Sequence, residues 1–164
     1  MIHLIIGDGR GKTCSSVGLA VRAAGHNWNV VFAQFLKSDG SGELYILNMI
    51  PNIKTLIPSN DYGFLFQMSK EKRQKASEEY KNMIASIAGS SHDMIILDEV
   101  LHALCAGLLS KEDIESIIDK DCEIVMTGRE APKWLVDWAD YISDIKKIKH
   151  PFDKGIMARE GVEY

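Results

Sequence analysis

Four short, nearly uninterrupted apolar runs recur along the chain: IHLII (2–6), VVFAQF (30–35), DMIILD (93–98) and EIVMTG (123–128). Runs of that length without polar alternation suit strands buried on both faces, and such strands belong to parallel sheets whose crossovers are helices. The segments between them carry the helical period. One helix is predicted from about Lys12 to Ala24, stopping at Gly25. Residues Ser69 to Ala88 place Ala76, Tyr80, Met83, Ile84 and Ile87 on one stripe, with Gly89 closing it. Ser110 opens SKED, a capping box, ahead of Ile114, Ile117 and Ile118. Pro132 stands where a first helical residue would, before Trp134, Leu135 and Trp138. The pattern predicts an α/β protein: a mostly parallel β-sheet with helices on both faces.

At 164 residues the chain suits one domain over 1–164, and 46% hydrophobic with 26% charged residues is a globular composition. A net charge of −4 leaves no electrostatic footprint for nucleic acid or an anionic membrane surface. No apolar run approaches the roughly 20 residues that span a bilayer, and no charged leader precedes an apolar block, so a cytoplasmic location is expected. Cys14, Cys105 and Cys122 are odd in number and far apart, which fits a reducing compartment, and no zinc-site spacing occurs. His102 and Cys105 share a helix side, a pairing that more often packs than binds metal.

Ligands of parallel sheets bind beyond the carboxyl ends of the strands. Four stretches follow strand ends here: Gly7 to Thr13, Gln34 to Glu43, Asp98 to His102 and Thr127 to Arg129. The first, IIGDGRGKTCS, resembles the Walker A loop but has three residues between Gly7 and Gly11 rather than four. Glycines at 7, 9 and 11 permit positive φ and close approach to an anion, which the helix N-terminus favours. Lys12 is then the point charge on terminal phosphates and the Thr13 hydroxyl a magnesium ligand, unless the stretch is only a turn. The third, MIILDE, ends a buried strand in two carboxylates, Asp98 and Glu99. That is a Walker B arrangement able to hold hydrated Mg²⁺, or else a helix cap. In TGRE, Arg129 suits a bidentate phosphate contact and a structural salt bridge about equally. The run KKIKH (146–150) reads as a solvated charged face ahead of an ordered turn at Pro151 and Gly155.

Taken together, GDGRGKT, GLAVRAAGH, QFLKSDGSGE, LDEV, TGREAPKWLVDWAD and the tail IKKIKHPFDKGIMAREGVEY resemble the ATP:corrinoid adenosyltransferases of the BtuR/CobO/CobP type over nearly the whole chain, in order. The resemblance implies a RecA-like P-loop fold, a homodimer, and transfer of the 5'-deoxyadenosyl group of ATP to the cobalt of a corrinoid. That corrinoid is cobalamin, cobinamide or cobyrinic acid diamide. The family's loop has the same shortened form and holds ATP in an unusual orientation, so carbon rather than phosphorus is attacked. Reduced Co(I) is the nucleophile, C5' the electrophile and triphosphate the leaving group, with a reduced flavoprotein as electron donor. By that resemblance Gly7, Asp8, Gly9, Arg10, Gly11, Lys12, Thr13, Cys14 and Arg129 bind ATP. Lys12, Thr13 and Glu99 are catalytic, and Thr13, Asp98 and Glu99 hold Mg²⁺.

The family also carries a pair of aromatics that crowd the lower face of the corrin and displace its axial ligand. The matching stretch DYGFLFQ (61–67) supplies Phe64 and Phe66, whose two-residue spacing puts both rings on one side of an extended segment. Three departures stand out. Phe66 stands where family members carry tryptophan. Cys14 replaces a second threonine, and the chain starts at the first strand, where longer members carry an arm over the active site. Two other readings compete: a RecA-like ATPase or small-molecule kinase, in which Glu99 orients a hydroxyl or water, and a non-catalytic nucleotide- or corrinoid-binding regulator.

Overall fold

The computed structural model describes residues 1–37, 41–63, 65–118 and 121–163. Six strands form one sheet: β1 (Ile2–Ile6), β2 (Val30–Gln34), β3 (Ile53–Leu56), β4 (Met94–Asp98), β5 (Glu123–Thr127) and β6 (Tyr141–Asp144), in the order β3-β2-β4-β5-β1-β6. Every pairing is parallel. The helices are α1 (Lys12–Gly25), α2 (Gly42–Leu47), α3 (Lys70–Ala88), α4 (Val100–Cys105), α5 (Lys111–Ile118) and α6 (Lys133–Trp138). This is the α/β architecture expected from the alternation of apolar and helix-period segments, consistent with a RecA-like fold.

The continuous apolar runs divide by strand parity into two cores, because successive side chains of a strand point to opposite faces. Val31, Ala33, Ile95, Leu97, Ile124 and Met126 pack with Tyr80, Ile84 and Ile87 of α3, Ile114 and Ile117 of α5, and Leu135 of α6. Val30, Phe32, Met94, Ile96 and Val125 face the other way, onto Ala20, Ala23 and Ala24 of α1 and Leu44 and Leu47 of α2. At about 25 cal/mol per Å² of apolar surface, each fully buried Leu, Ile or Phe contributes roughly 1.5–3 kcal/mol. Small alanines on α1 let that helix lie close to the strands.

The helix ends follow local chemistry. Ser110 and Asp113 close the capping box reciprocally: the Ser110 amide donates to Asp113 Oδ2 at 2.7 Å and the Asp113 amide to Ser110 Oγ at 3.2 Å. Gly25 is the last residue of α1, yet the left-handed turn after it falls on Asn27, at φ 62°. Pro132 caps α6 from one residue outside the helix.

Strands β3 and β6 escaped the sequence pattern. All four residues of β6 are exposed, since it is an edge strand held to β1 by backbone pairing, from His3 opposite Tyr141 to Ile6 opposite Asp144. Among the described residues no helix is long and apolar enough to cross a membrane.

Candidate functional site

The loop between β1 and α1 is clamped from both sides. The Gly7 amide donates to the Arg129 carbonyl at 2.9 Å, just past β5, and the Gly9 amide to the Ile145 carbonyl at 2.7 Å, just past β6. Gly7 and Gly11 sit at φ 115° and 118°, where a side chain is strained. Gly9 does not need positive φ, contrary to expectation; it is required because a Cβ there would lie 2.7 Å from the Ile145 carbonyl oxygen. The Gly7 and Gly9 amides are turned to protein carbonyls and so are not aimed at an anion, whereas the amides opening α1, which lack intrahelical partners, are available to one.

Lys12 arches back over this loop, its Nζ donating to the carbonyls of Gly7 at 2.8 Å and Gly9 at 2.9 Å. The exposed Asp8 carboxylate accepts the Lys147 amide at 2.9 Å. That bond first, with the charges of Lys147 and Arg129, holds its pKa below the ordinary carboxylate value. Arg10 donates from Nη2 to the Val162 carbonyl at 2.6 Å, tying the tail to the loop. Cys14 is exposed.

Because β5 lies between β1 and β4, the end of β4 faces the start of α1 across one strand. Asp98, fully buried at that end, is the hub of the site. Its carboxylate accepts from Thr13 Oγ1 at 3.0 and 3.1 Å, Thr127 Oγ1 at 2.7 Å and Gln34 Nε2 at 3.2 Å. The Lys37 ammonium completes the set at 3.3 Å. A buried carboxylate needs this density of donors, since an uncompensated charge in a low-dielectric interior is strongly unfavourable. Gln34 Nε2 also donates to Glu43 Oε1 at 2.9 Å, which fixes the amide orientation and leaves its Oε1 buried without a hydrogen-bond partner among the described residues.

Glu99 takes a different place from Asp98. Its backbone is left-handed at φ 63°, its amide donates to Thr127 Oγ1 at 2.8 Å, and its carboxylate bonds His102 Nδ1 in a short contact. His102 Nε2 accepts the Arg129 amide at 3.2 Å, so the ring proton belongs on Nδ1, donated to Glu99. Burial works to raise the Glu99 carboxyl, but the His102 bond and the surrounding positive charges, Lys37 and Lys12 among them, outweigh it and hold the pKa below its ordinary value. The described residues of all four stretches singled out from the sequence converge on this end of the sheet. Lys37, Gln34, Thr127 and the Ile145 carbonyl were not identified individually. Their signal was position after a strand end, which does not say which side chain turns inward.

Phe64, and the side chain of Phe66, lie outside the described residues. The backbone at Leu65–Gln67 is a 3-10 turn, so the extended geometry expected to align two rings does not hold there. The approach to this turn is anchored on α3. Glu79 accepts the Ser59 amide and the Tyr62 hydroxyl, both at 2.5 Å.

A family model described as ATP:corrinoid adenosyltransferase BtuR/CobO/CobP matches residues 1–164. A corrinoid adenosyltransferase of Escherichia coli (strain K12) is 27% identical over 168 residues, covering 100% of this chain and 85% of that protein. A corrinoid adenosyltransferase of Pseudomonas aeruginosa is 30% identical over 164 residues, covering 96% of this chain and 80% of that protein. Corrinoid adenosyltransferase CobA of Salmonella typhimurium is 27% identical over 168 residues, again covering all of this chain and 85% of that protein.

Proposed function

The chain belongs to the ATP:corrinoid adenosyltransferase BtuR/CobO/CobP family, and from that premise we propose how its strand-end site works. The enzyme is a transferase that adenosylates corrinoids with ATP. In our reading the Co(I) lone pair attacks C5' of ATP, the Co–C bond forms as the C5'–O bond breaks, and the triphosphate leaves with that electron pair. Negative charge grows on the phosphate oxygen that bridged to C5', so positive groups fixed in advance near it lower the barrier. Lys12 and the amides opening α1 supply them. No general base is required, since the nucleophile carries its own electron pair. The corrinoid brings the reactive metal, and the protein contributes position and field.

The observation that carries this reading is the junction of the glycine loop with the end of β4, where Thr13 Oγ1 meets Asp98 at 3.0 Å. Two hard oxygens at that separation suit Mg²⁺, and the Lys37 ammonium already lies against both, 3.3 Å from Asp98 and 3.4 Å from Thr13. Thr13 and Asp98 would hold the ion, which when bound offsets the charge of the departing triphosphate. Glu99, turned to His102, sits better as a positioning group for α4 and the Arg129 turn than as a direct ligand. The same contact disfavours a kinase, in which Glu99 would have to orient an acceptor hydroxyl.

Arg129 faces a cleft with Asp8, Lys147, His150 and Phe152 beside the loop and suits a phosphate contact. Phe64 and Phe66 are assigned to the lower face of the corrin on the family resemblance, with Tyr62 and Glu79 anchoring their segment. We further assign a single catalytic domain over 1–164, a homodimer, a reduced flavoprotein donor and a cytoplasmic setting on that same resemblance.

The test uses chemically reduced cob(I)alamin, MgATP and the purified protein. Light-sensitive alkylcobalamin absorbance together with released triphosphate is expected. Orthophosphate or ADP without a cobalt–carbon bond would refute the transfer.

A further inference from the structure

Lys37 is not a loop residue whose ammonium happens to reach the site. It follows Leu36, whose φ of 58° is the left-handed conformation that bulky side chains rarely adopt. The strain is held in place by two hydrogen bonds: the Phe35 amide to the Asp98 carbonyl at 2.9 Å, and the Leu36 amide to the buried Tyr80 hydroxyl at 3.2 Å. This turn redirects the chain at the end of β2 and brings Lys37 Nζ to the point where Asp98 Oδ2, Thr13 Oγ1 and Glu43 Oε1 meet, at 3.3, 3.4 and 3.9 Å. Asp98 is fully buried, whereas the Lys37 side chain is 34% exposed. The ammonium therefore has a route to solvent that its carboxylate partner lacks. Among the described residues no other cationic side chain forms an ion pair with Asp98.

We propose that Lys37 is a placeholder cation: with no metal bound, its ammonium neutralises the Asp98–Thr13 site, and it must be displaced for a divalent ion to enter. The inference rests on the assignment of Thr13 and Asp98 as metal-holding groups. Its consequence is a coupling between metal and nucleotide. A bare divalent ion must expel an ammonium from a buried carboxylate and, among the described residues, finds in its place the oxygens of Asp98 and Thr13 with Glu43 at the margin. An ion arriving with ATP brings phosphate oxygens that both coordinate it and receive the displaced ammonium at the same strand end. Lys37 thus biases the site toward metal–nucleotide complexes and against free metal. An occupant present nine times in ten lowers the apparent affinity of a competitor about tenfold.

The experiment titrates Mn²⁺ into the full-length protein without nucleotide and follows free aqueous Mn²⁺ by electron paramagnetic resonance, then repeats the titration with ATP present. Lys37→Met is expected to bind Mn²⁺ alone about tenfold more tightly than the wild type, while Lys37→Arg stays as weak as the wild type. The gain in Mn²⁺ affinity conferred by ATP should shrink in Lys37→Met by a similar factor. A lysine with a merely structural role would not strengthen metal binding when removed. Lys37→Gln serves if the methionine variant melts early by circular dichroism. Unchanged nucleotide-free Mn²⁺ affinity in a folded Lys37 variant, with Asp98→Asn losing the Mn²⁺–ATP complex, overturns the placeholder role alone. Equal Mn²⁺–ATP binding by the wild type and Asp98→Asn overturns the metal assignment and the placeholder with it.

Discussion

The Thr13 hydroxyl shares its hydrogen bond between both oxygens of Asp98, at 3.0 and 3.1 Å, across 85 residues of sequence. The contact joins the first turn of α1 to the end of β4 over the intervening β5, and the rest of the site is arranged around it.

Asp98→Ala should be costly in two separable ways. Thr13, Thr127 and Gln34 all lose an acceptor in a buried setting, so urea unfolding should register a loss of about 2–4 kcal/mol. MgATP binding, followed by calorimetry, should vanish as well. Asp98→Asn, which keeps the shape, should recover part of the stability and little of the binding.

Lys12→Ala removes the ammonium that bridges the carbonyls of Gly7 and Gly9. Its transfer rate from chemically supplied Co(I) should fall by about 10²–10³, the usual cost of deleting one preorganised electrostatic contact. The melting temperature should change little, because the clamping bonds of Gly7 and Gly9 amides do not involve this side chain. A rate within a few fold of the wild type would remove Lys12 from the catalytic set.

The loop glycines should separate into strain and collision. At Gly11 a Cβ has nothing within 4 Å, so Gly11→Ala should cost only the left-handed backbone penalty, about 1–3 kcal/mol. At Gly7 the same penalty is joined by an approach of 2.3 Å to the Ile145 carbonyl oxygen. Gly7→Ala should therefore destabilise more than Gly11→Ala in parallel denaturant titrations, with hydrogen exchange accelerated in β6.

The Tyr62–Glu79 contact should shape both ends of the stability profile. Burial first, then the hydrogen bond to Glu79, pushes the Tyr62 hydroxyl up from 10.0 to about 12. A raised folded pKa contributes stability that is fully present below pH 10 and lost as pH rises through about 12. Glu79 shifts the other way: burial raises its carboxyl, but the bonds from Tyr62 and Ser59 prevail and lower it. Its contribution is present above the ordinary value of 4.5 and lost as the pH falls through the lower folded one. Tyr62→Phe should flatten the alkaline limb in thermal melts at graded pH and remove one high-pH phenolate from the ultraviolet titration. In assays that start from Co(II), the same variant should be slower than the wild type if its segment seats the corrin.

Features that depend on neighbours along the chain were legible in the residues alone. Continuous apolar runs announced β1, β2, β4 and β5. Ser110 with Asp113 announced the start of α5, and the glycine spacing announced the loop at Gly7 to Gly11. These features rest on backbone preference, side-chain period and local capping, all readable within one window. The remainder came from contacts between segments distant along the chain. Strand β6 has four exposed residues and no continuous apolar run, since an edge strand is held by backbone pairing to β1 rather than by burial. Its position delivers the Ile145 carbonyl that makes glycine obligatory at residue 9. The same holds for Asp98. Two adjacent carboxylates, Asp98 and Glu99, look equivalent in sequence, yet strand parity buries the first among Thr13, Thr127, Gln34 and Lys37. The left-handed turn at Glu99 then swings the second to His102. Which carboxylate serves the loop depends on strand order and backbone handedness at a single residue, and neither is written in the local pattern.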